Sequence, residues 1–136
     1  MEYDIHNNVY GEIALVVQNI TTNTTTVGNI IDTSGFESLE FFITSGTITD
    51  GAYALVLEEG DDAALADAAA VPADNVLGDL TGFVAADDDT VKRVGSIGKK
   101  RYQRLSIVST GVTTGGTNFT STVVKGDPKS GPTAAQ

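Results

Sequence analysis

The stretch Ser38-Leu39-Glu40-Phe41-Phe42-Ile43-Thr44 decides the fold, because its apolar and polar residues alternate. Successive side chains of a β-strand point to opposite faces, so Leu39, Phe41 and Ile43 share one face and the residues between them face the other way. The chain also contains 18 threonines, and β-branched residues favour strands. The stretch therefore predicts a strand with one face in a core.

Similar short apolar stretches follow along the chain and predict about seven to eight antiparallel strands. Two of them show the same alternation, with inward faces expected at Ile13, Leu15 and Val17 and at Tyr53, Leu55 and Leu57. Further strands are expected within residues 27–31, 91–97, 102–109 and 119–125.

Turn-forming residues separate these predicted strands. Asp50-Gly51 favours a tight hairpin, because a type I′ turn needs two residues that tolerate positive φ. Thr33-Ser34-Gly35 and the Gly/Thr-rich residues 111–117 are further turns. Repeated short strands of this kind predict an all-β fold, either a β-sandwich or a barrel.

One segment departs from the strand pattern. Residues 61–70, DDAALADAAA, combine helix-forming alanines with acidic residues that favour a helix N-terminus, and Pro72 ends the segment. A short helix and an acidic loop are both compatible with this composition. Since large apolar residues are few, we expect a loop with one helical turn.

The two ends of the chain are polar and are predicted to be extended arms. Residues 1–10 form the N-terminal arm, residues 11–126 the β-domain, and residues 127–136 a flexible C-terminal tail with two prolines. The length of 136 residues fits one domain of about 100–150 residues. The acidic start lacks an apolar run, and no stretch approaches the ~18 apolar residues of a membrane span. We therefore expect neither a signal peptide nor a membrane partner.

The charges are segregated along the chain. Residues 1–91 contain 17 acidic side chains and no Lys or Arg, whereas residues 92–136 contain all eight basic side chains and one acid, Asp127. The two parts carry −17 and +7, which together give the formal net charge of −10. Such asymmetry indicates that the basic part pairs with the acidic part of the same chain, with a neighbour, or with both. The overall acidity argues against nucleic acid as a partner.

Candidate catalytic and metal-binding residues are sparse. A serine triad needs an imidazole, and the single histidine, His6, lies in the predicted arm, where no rigid surroundings would hold it. Without cysteine there is no disulfide or thiol nucleophile, and one histidine cannot supply the nitrogen and sulfur ligands that zinc prefers. Carboxylates cluster at residues 58–62 and 87–89, but neither cluster has the spacing of a calcium loop. We expect no enzyme activity, no metal and no cofactor.

The basic residues concentrate before and on one predicted strand. Arg makes bidentate contacts with carboxylates, and Tyr adds rigid contact area to interfaces. Five residues of this stretch are candidate protein-interface residues: Lys99, Lys100, Arg101, Tyr102 and Arg104. Alternation places Tyr102 and Arg104 on one face of the strand, and Arg101 and Gln103 on the other. The preceding glycines lack the spacing of a phosphate-binding loop.

Three segments carry a family resemblance. They are Ile31-Asp32-Thr33-x-Gly35-Phe36-Glu37-Ser38-Leu39-x-Phe41, Gly46-x-Ile48-Thr49-Asp50-Gly51, and Val94-Gly95-x-Ile97-Gly98-Lys99-Lys100-Arg101-Tyr102-x-Arg104-Leu105. With them, and with Gly126-x-Pro128 and Pro132, the chain resembles small structural proteins encoded among the head genes of tailed bacteriophages, the cement or head-decoration proteins. Ser96 and Gln103 stand where the family pattern has a tyrosine and a valine.

The resemblance implies a single jelly-roll-like β-sandwich that forms small homo-oligomers, dimers or trimers. It also implies a non-enzymatic cement that binds the major capsid protein on the outside of the virion, after passing through the host cytoplasm during assembly. An alternative is a carbohydrate- or receptor-binding β-module on the virion or tail. A third is a small hydrolase that uses clustered carboxylates such as Asp61 or Asp88.

Overall fold

A computed structural model describes residues 4–133, and over this range the predicted all-β fold is confirmed. The strands are β1 (Val9–Ile20), β2 (Thr25–Val27), β3 (Ile31–Asp32), β4 (Phe36–Ser45), β5 (Ala52–Gly60), β6 (Ala69–Ala70), β7 (Val76–Leu77), β8 (Val91–Ser96), β9 (Tyr102–Thr110) and β10 (Thr117–Pro128). Single turns of 3₁₀ helix span His6–Asn8, Ala73–Asn75 and Ala85–Asp87. The strands outnumber the seven to eight expected because β3, β6 and β7 have two residues each, too few to show alternation.

The strands pair antiparallel in two five-stranded sheets. Sheet A has the order β1-β10-β4-β8-β7, and sheet B has the order β2-β9-β5-β6, with β3 also paired to β9. The long first and last strands are neighbours, from Val9 opposite Gly126 to Ile20 opposite Thr117. Among the described residues, no helix is long and apolar enough to cross a membrane.

One hydrophobic core joins the inner faces of the two sheets. The alternating stretches of β4 and β5 face it as predicted, with buried side chains at Leu39, Phe41, Ile43, Tyr53, Leu55 and Leu57. At its centre, the ring centroids of Tyr53 and Phe83 lie 5.0 and 5.2 Å from that of Phe119. Aromatic contacts at such distances add about 0.5–1.5 kcal/mol to the energy of burial.

The alternation predicted for β1 is wrong. Leu15 is buried, but Ile13 and Val17 are 59% and 69% exposed. The cause is irregular pairing with β10, because the register shifts between Ile13 and Leu15 and again between Leu15 and Gln18. A β-bulge adds an unpaired residue to one strand and re-aims its neighbours, and here Ala14 is buried next to Leu15.

The hairpin predicted at Asp50-Gly51 is also wrong. β4 belongs to sheet A and β5 to sheet B, so the segment between them crosses from one sheet to the other. Gly51 does adopt a positive φ of +89°. The Oδ2 of Asp50 accepts hydrogen bonds from the backbone N–H groups of Thr113 and Thr114, at 2.8 and 3.0 Å. These bonds, with Thr114 contributing most, lower the pKa of Asp50, and they tie the β9–β10 loop to the crossing segment.

Residues 61–68 form the expected loop, but with hydrogen-bonded turns in place of the expected helical turn, and Ala69 and Ala70 form β6. Leu65 is buried, while the carboxylates of Asp62 and Asp67 accept hydrogen bonds from the loop backbone. The carboxylate of Asp67 accepts the N–H groups of Asp61 and Asp62 at 2.9 and 3.1 Å. These bonds lower the pKa of Asp67 and replace the hydrogen bonds that a helix would make.

The two ends of the chain lie beside each other. β1 begins at Val9, ahead of the expected domain start at residue 11, and β10 continues to Pro128. The N–H of Thr133 donates to the carbonyl of Asn7 at 2.9 Å, and its hydroxyl donates to the carbonyl of Val9 at 2.9 Å. The described parts of the predicted arm and tail therefore contact each other. The outermost three residues at each end lie outside the described residues.

Candidate interaction surface

The candidate interface residues lie at one end of the two sheets. The loop between β8 and β9 and the first half of β9 supply them: Lys99, Lys100, Arg101, Tyr102 and Arg104. The loop before β4 packs beside them, because the N–H and the hydroxyl of Thr33 donate to the carbonyl of Arg101 at 2.9 and 2.7 Å. Hydrogen bonds across the two loops thus hold the basic stretch in place.

Two exposed ion pairs anchor the loop. Nε and Nη2 of Arg101 donate to Oδ1 and Oδ2 of Asp32, each at 2.9 Å. These hydrogen bonds from Arg101 lower the pKa of Asp32 to about 2, and they raise the pKa of Arg101. The Nζ of Lys100 lies 2.8 Å from Oδ2 of Asp61, and this hydrogen bond raises the pKa of Lys100. Exposed pairs of this kind are screened by solvent and contribute little to stability.

Arg104 makes a more buried ion pair. Glu58 of β5 lies directly opposite Arg104 of β9, and Nη2 and Oε1 are 3.2 Å apart. The two side chains are 20% and 26% exposed. Tyr102 is half-buried, while Gln103 is buried in the interior. The predicted alternation of Tyr102, Gln103 and Arg104 along β9 is therefore confirmed, but the placement of Arg101 on the face of Gln103 is wrong, because Arg101 lies in the loop before β9 and is exposed.

Pairing within the chain accounts for most of the basic side chains. In each ion pair an acid from residues 1–91 meets a base from residues 92–136. The pairs are Lys92–Asp87, Arg93–Glu40, Lys100–Asp61, Arg101–Asp32, Arg104–Glu58, Lys125–Glu12 and Lys129–Glu37. Among the residues that the structure describes, Lys99 is the base without an ion pair. The intrachain interpretation of the charge asymmetry is confirmed for these seven bases, and contact with a neighbour stays a prediction.

An open polar cavity of about 380 Å³ lies at this end of the molecule. Four basic residues line it and are called the basic end below: Lys99, Lys100, Arg101 and Lys129. Lys129 is 61% exposed, and its Nζ lies 3.7 Å from Oε1 of Glu37. Because exposed ion pairs are weak, a carboxylate of a partner can exchange with the existing acids at little cost.

A buried polar group beneath this loop was not predicted from the sequence. Glu59 of β5 and Gln103 of β9 lie opposite each other and are 9% and 2% exposed. A Cβ at Gly98 would lie 2.3 Å from Oε2 of Glu59, so a side chain at this position would displace the carboxylate. Ser96 accepts the N–H of Gly98 at 3.1 Å. The available signal was the alternation of β9, which places Gln103 on the same face as Leu105.

A second cavity, of about 440 Å³, lies where the two chain ends meet. Tyr10 and Phe36 line it, with ring centroids 6.3 Å apart, and Pro132 also borders it. The Nζ of Lys125 lies 5.1 and 5.0 Å from the Tyr10 and Phe36 centroids and 2.5 Å from Oε1 of Glu12. Lys125 is only 8% exposed, so its charge is held by two rings and a carboxylate.

The acidic clusters considered as cation sites serve the fold. Oδ2 of Asp87 accepts the N–H of Val84 at 3.0 Å, which lowers the pKa of Asp87. In the other cluster, Glu58 pairs with a base while Glu59 lies in the interior. Within the described part of the chain, no three metal-ligating side chains form a group that could hold a metal ion. His6 is exposed in the first helical turn.

Comparisons of the chain with protein-family models, with curated proteins and with solved structures found no match. Its function therefore has to be inferred from the surfaces described above.

Proposed function

We propose that the chain is a non-enzymatic structural protein that binds the outer surface of the major capsid shell of a tailed bacteriophage and stabilises it by bridging subunits. One observation carries the proposal: two of the segments that resemble head-decoration proteins meet at the basic end. Asp32, from residues 31–41, makes the bidentate pair with Arg101, from residues 94–105. Thr33 adds two hydrogen bonds to the same arginine's carbonyl.

The chemistry of the basic end suits a contact that is repeated over a lattice. Lys99 has no ion pair with any residue of the described range 4–133, so an acidic side chain of the major capsid protein can bind it without displacing another of these acids. The neighbouring ion pairs are exposed and exchange readily. Each contact is therefore weak, and the attachment gains strength from the many copies engaged on one shell.

Strand pairing supports the finer fold proposal, a β-sandwich of the jelly-roll type. In a jelly roll, a long antiparallel ribbon is wrapped so that strands from its start pair with strands from its end. Here β1 pairs with β10, β2 with β9, β4 with β8 and β5 with β6. The β10–β4 and β9–β5 pairs join the two halves of the ribbon. Jelly rolls occur in viral capsid and lectin domains alike.

Capsids assembled without the chain provide the test. Purified protein is added, and its co-sedimentation with the capsids and the heat resistance of the particles are measured. We expect saturable binding and a higher temperature of particle disruption. The Lys99→Ala/Lys100→Ala variant should bind about tenfold more weakly, which corresponds to a loss of roughly 1.4 kcal/mol. Arg104→Ala and a chain that ends at Pro128 should also bind less well than wild type.

Arg93→Ala is the matched control, because Arg93 is a base with 75% exposure that does not line the cavity. Its binding should equal that of wild type. Absence of wild-type co-sedimentation would sink the proposal. If Lys99→Ala/Lys100→Ala binds normally and only its unfolding temperature falls, the basic end stabilises the fold and does not contact the capsid.

A carbohydrate-binding module on the virion or tail is the second candidate, and the cavity at the chain ends favours it. Sugars stack on exposed aromatic rings, and Tyr10 and Phe36 line this cavity beside the Lys125–Glu12 pair. A glycan array with the wild type and with Tyr10→Ala tests this function. Reproducible binding that is lost in the variant would favour it, whereas an array without binding would exclude it for the glycans tested.

A further inference from the structure

Two long stretches of this acidic chain contain no charged residue. The first run covers residues 13–31, between Glu12 and Asp32, and the second covers residues 105–124, between Arg104 and Lys125. All 26 charged side chains lie outside these runs. The runs are far apart in sequence, so whether they form one surface depends on the fold.

The fold brings the two runs together. β1, from the first run, pairs with β10, from the second, and β2 pairs with β9 in the same way. β1 and β2 are edge strands of sheets A and B, and residues 28–30 join β2 to β3 beside the edge of β1. Asn29 bridges them, since its N–H and its Nδ2 donate to the carbonyls of Ala14 and Ile13 at 2.7 and 3.0 Å. We call this surface, residues 13–31 with residues 105–110 and 117–124 of β9 and β10, the uncharged side; the loop between them is left out because Thr113 and Thr114 bind the carboxylate of Asp50.

Large apolar side chains are exposed on the uncharged side. Five of them lie on β1, on β2 and in the segment between β2 and β3: Ile13, Val16, Val17, Val27 and Ile30. Their exposure ranges from 36% for Ile30 to 69% for Val17. Between them lie uncharged Thr and Asn side chains, which can form hydrogen bonds across an interface without the cost of desolvating a charge. Depletion of charge around exposed apolar residues is typical of the centre of a protein interface.

The backbone of the uncharged side is held rigidly. A Cβ at Gly28 would lie 2.1 Å from the carbonyl oxygen of Leu105, so the segment between β2 and β3 lies directly against β9. The hydroxyl of Ser109 donates to the carbonyl of Thr22 at 2.6 Å, and Oδ1 of Asn23 accepts the N–H of Val112 at 2.8 Å. A surface that is already ordered loses little entropy on binding.

We propose that the uncharged side is where the chain associates with a second copy of itself. Two copies, each with a net charge of −10, repel each other over most of their surfaces. Self-association therefore requires a face without acidic side chains. A basic partner would instead be bound through the acidic surfaces, because charge complementarity determines which surfaces meet. The neutral face is the one on which two identical acidic copies can meet.

The size of the face is sufficient for a dimer. Fifteen of the 19 residues in the first run are exposed or half-buried. A standard interface uses about 20–30 residues from each partner, and six exposed or half-buried residues of β9 and β10 bring the total here to 21: Val108, Thr110, Asn118, Thr120, Thr122 and Val124. The contact is made by side chains, because Asn29 already occupies the carbonyls of Ile13 and Ala14 at the edge of β1. The inference does not depend on capsid binding.

Sedimentation equilibrium of the full chain over a wide concentration range tests the proposal. Wild type should exceed the monomer mass of 14.1 kDa as concentration rises. Val17→Asp and Val27→Asp should each raise the dissociation constant by about tenfold or more, because each buries a carboxylate at the interface. Added salt should leave the association intact or strengthen it, since it screens the repulsion between copies.

Val91→Asp is the matched control, since Val91 of β8 is 61% exposed and lies outside both runs. This variant should associate like wild type, and circular dichroism should show all variants folded. A wild type that stays monomeric at every concentration overturns the proposal, even if Val17→Asp weakens binding to capsids, because the face would then belong to the capsid. Equal disruption by Val91→Asp, or dissociation in high salt, overturns it as well.

Discussion

The basic end and the uncharged side are both held against β9, but by different forces. At the basic end, Asp32 and Arg101 are joined by an ion pair whose side chains are about half exposed. On the uncharged side, Gly28 lies so close to Leu105 that no side chain fits between them. Exposed ion pairs tolerate substitution, whereas close backbone packing does not. The same strand therefore supports one surface whose contacts can exchange and one whose shape is fixed.

Gly28→Ala should produce the largest effect. The added Cβ would lie 2.1 Å from the carbonyl oxygen of Leu105 and 2.6 Å from that of Ala14, so the segment between β2 and β3 has to move away from both β9 and β1. Overpacking against backbone should lower the free energy of unfolding by about 3 kcal/mol. Urea unfolding measures this loss, and sedimentation should show weaker self-association of the folded variant.

Gly46→Ala is the control for this prediction. A Cβ at Gly46 would meet its nearest neighbour, in Asn118, at 3.6 Å, an ordinary contact. Its unfolding free energy should stay within about 0.5 kcal/mol of wild type. If both glycine variants have the same free energy of unfolding, the backbone at Gly28 is not packed more closely than the backbone at Gly46, and the prediction is wrong.

Lys125→Ala should have the next largest effect and shows how burial strengthens an ion pair. Lys125 is 8% exposed, lies between two rings, and donates to Glu12 and to the carbonyl of Asp32. Its removal leaves both acceptors without this donor, and we expect a loss of about 2 kcal/mol, because Glu12 is only partly buried. Lys129→Ala, which removes the exposed pair with Glu37, should cost less than about 0.5 kcal/mol. Equal losses in urea unfolding would contradict this ordering.

Asp32→Asn should have a smaller effect that depends on pH. The hydrogen bonds from Arg101 hold the pKa of Asp32 at about 2 in the folded state, below the value of about 3.9 for an unfolded chain. A lowered pKa stabilises the fold above the unfolded value, and this contribution is lost as pH falls through about 2. Because both side chains are about half exposed, it should not exceed about 1 kcal/mol.

Urea unfolding of wild type and Asp32→Asn at several pH values measures this contribution. The difference in unfolding free energy should be constant above about pH 4 and shrink towards pH 2. Asp74→Asn, an exposed acid in a helical turn, serves as the control for the loss of one negative charge. A difference that stays constant down to pH 2 would show that the Asp32–Arg101 pair is absent in solution.

Alternation predicted the strands that cross the core but not the irregular ones. β4 and β5 are regular, so their buried faces follow from the spacing of Leu39 and Tyr53 and the residues after them. The prediction fails for β1 because the bulges of this strand arise from its pairing with β10, which lies about 100 residues away in sequence. Asp50-Gly51 has the composition of a hairpin turn, but the assignment of β4 and β5 to different sheets depends on the whole topology.

For the candidate surfaces too, the sequence predicted the general feature but not the contacts that depend on the fold. The charge asymmetry predicted that acids and bases of the chain would meet, and the direct opposition of Glu58 and Arg104 is its clearest example. Which acid meets which base follows from strand register, which composition does not encode. The burial of Glu59 and Gln103 was not predicted for a similar reason. Neither residue type indicates burial unless its position in the alternation is known.

Lys99→Ala should have the smallest effect on stability and the clearest effect on function. Lys99 is exposed and makes no ion pair with the described residues, so its truncation should change the unfolding free energy by less than about 0.5 kcal/mol. Its ammonium is nevertheless the group at the basic end that needs no exchange to bind a partner's carboxylate. Capsid co-sedimentation should therefore weaken in Lys99→Ala while the urea midpoint and self-association stay unchanged. If both the stability and the capsid binding of the variant are unchanged, Lys99 does not contact the capsid. The contact would then be made by Lys100 and Arg101, which already pair with acids of the same chain.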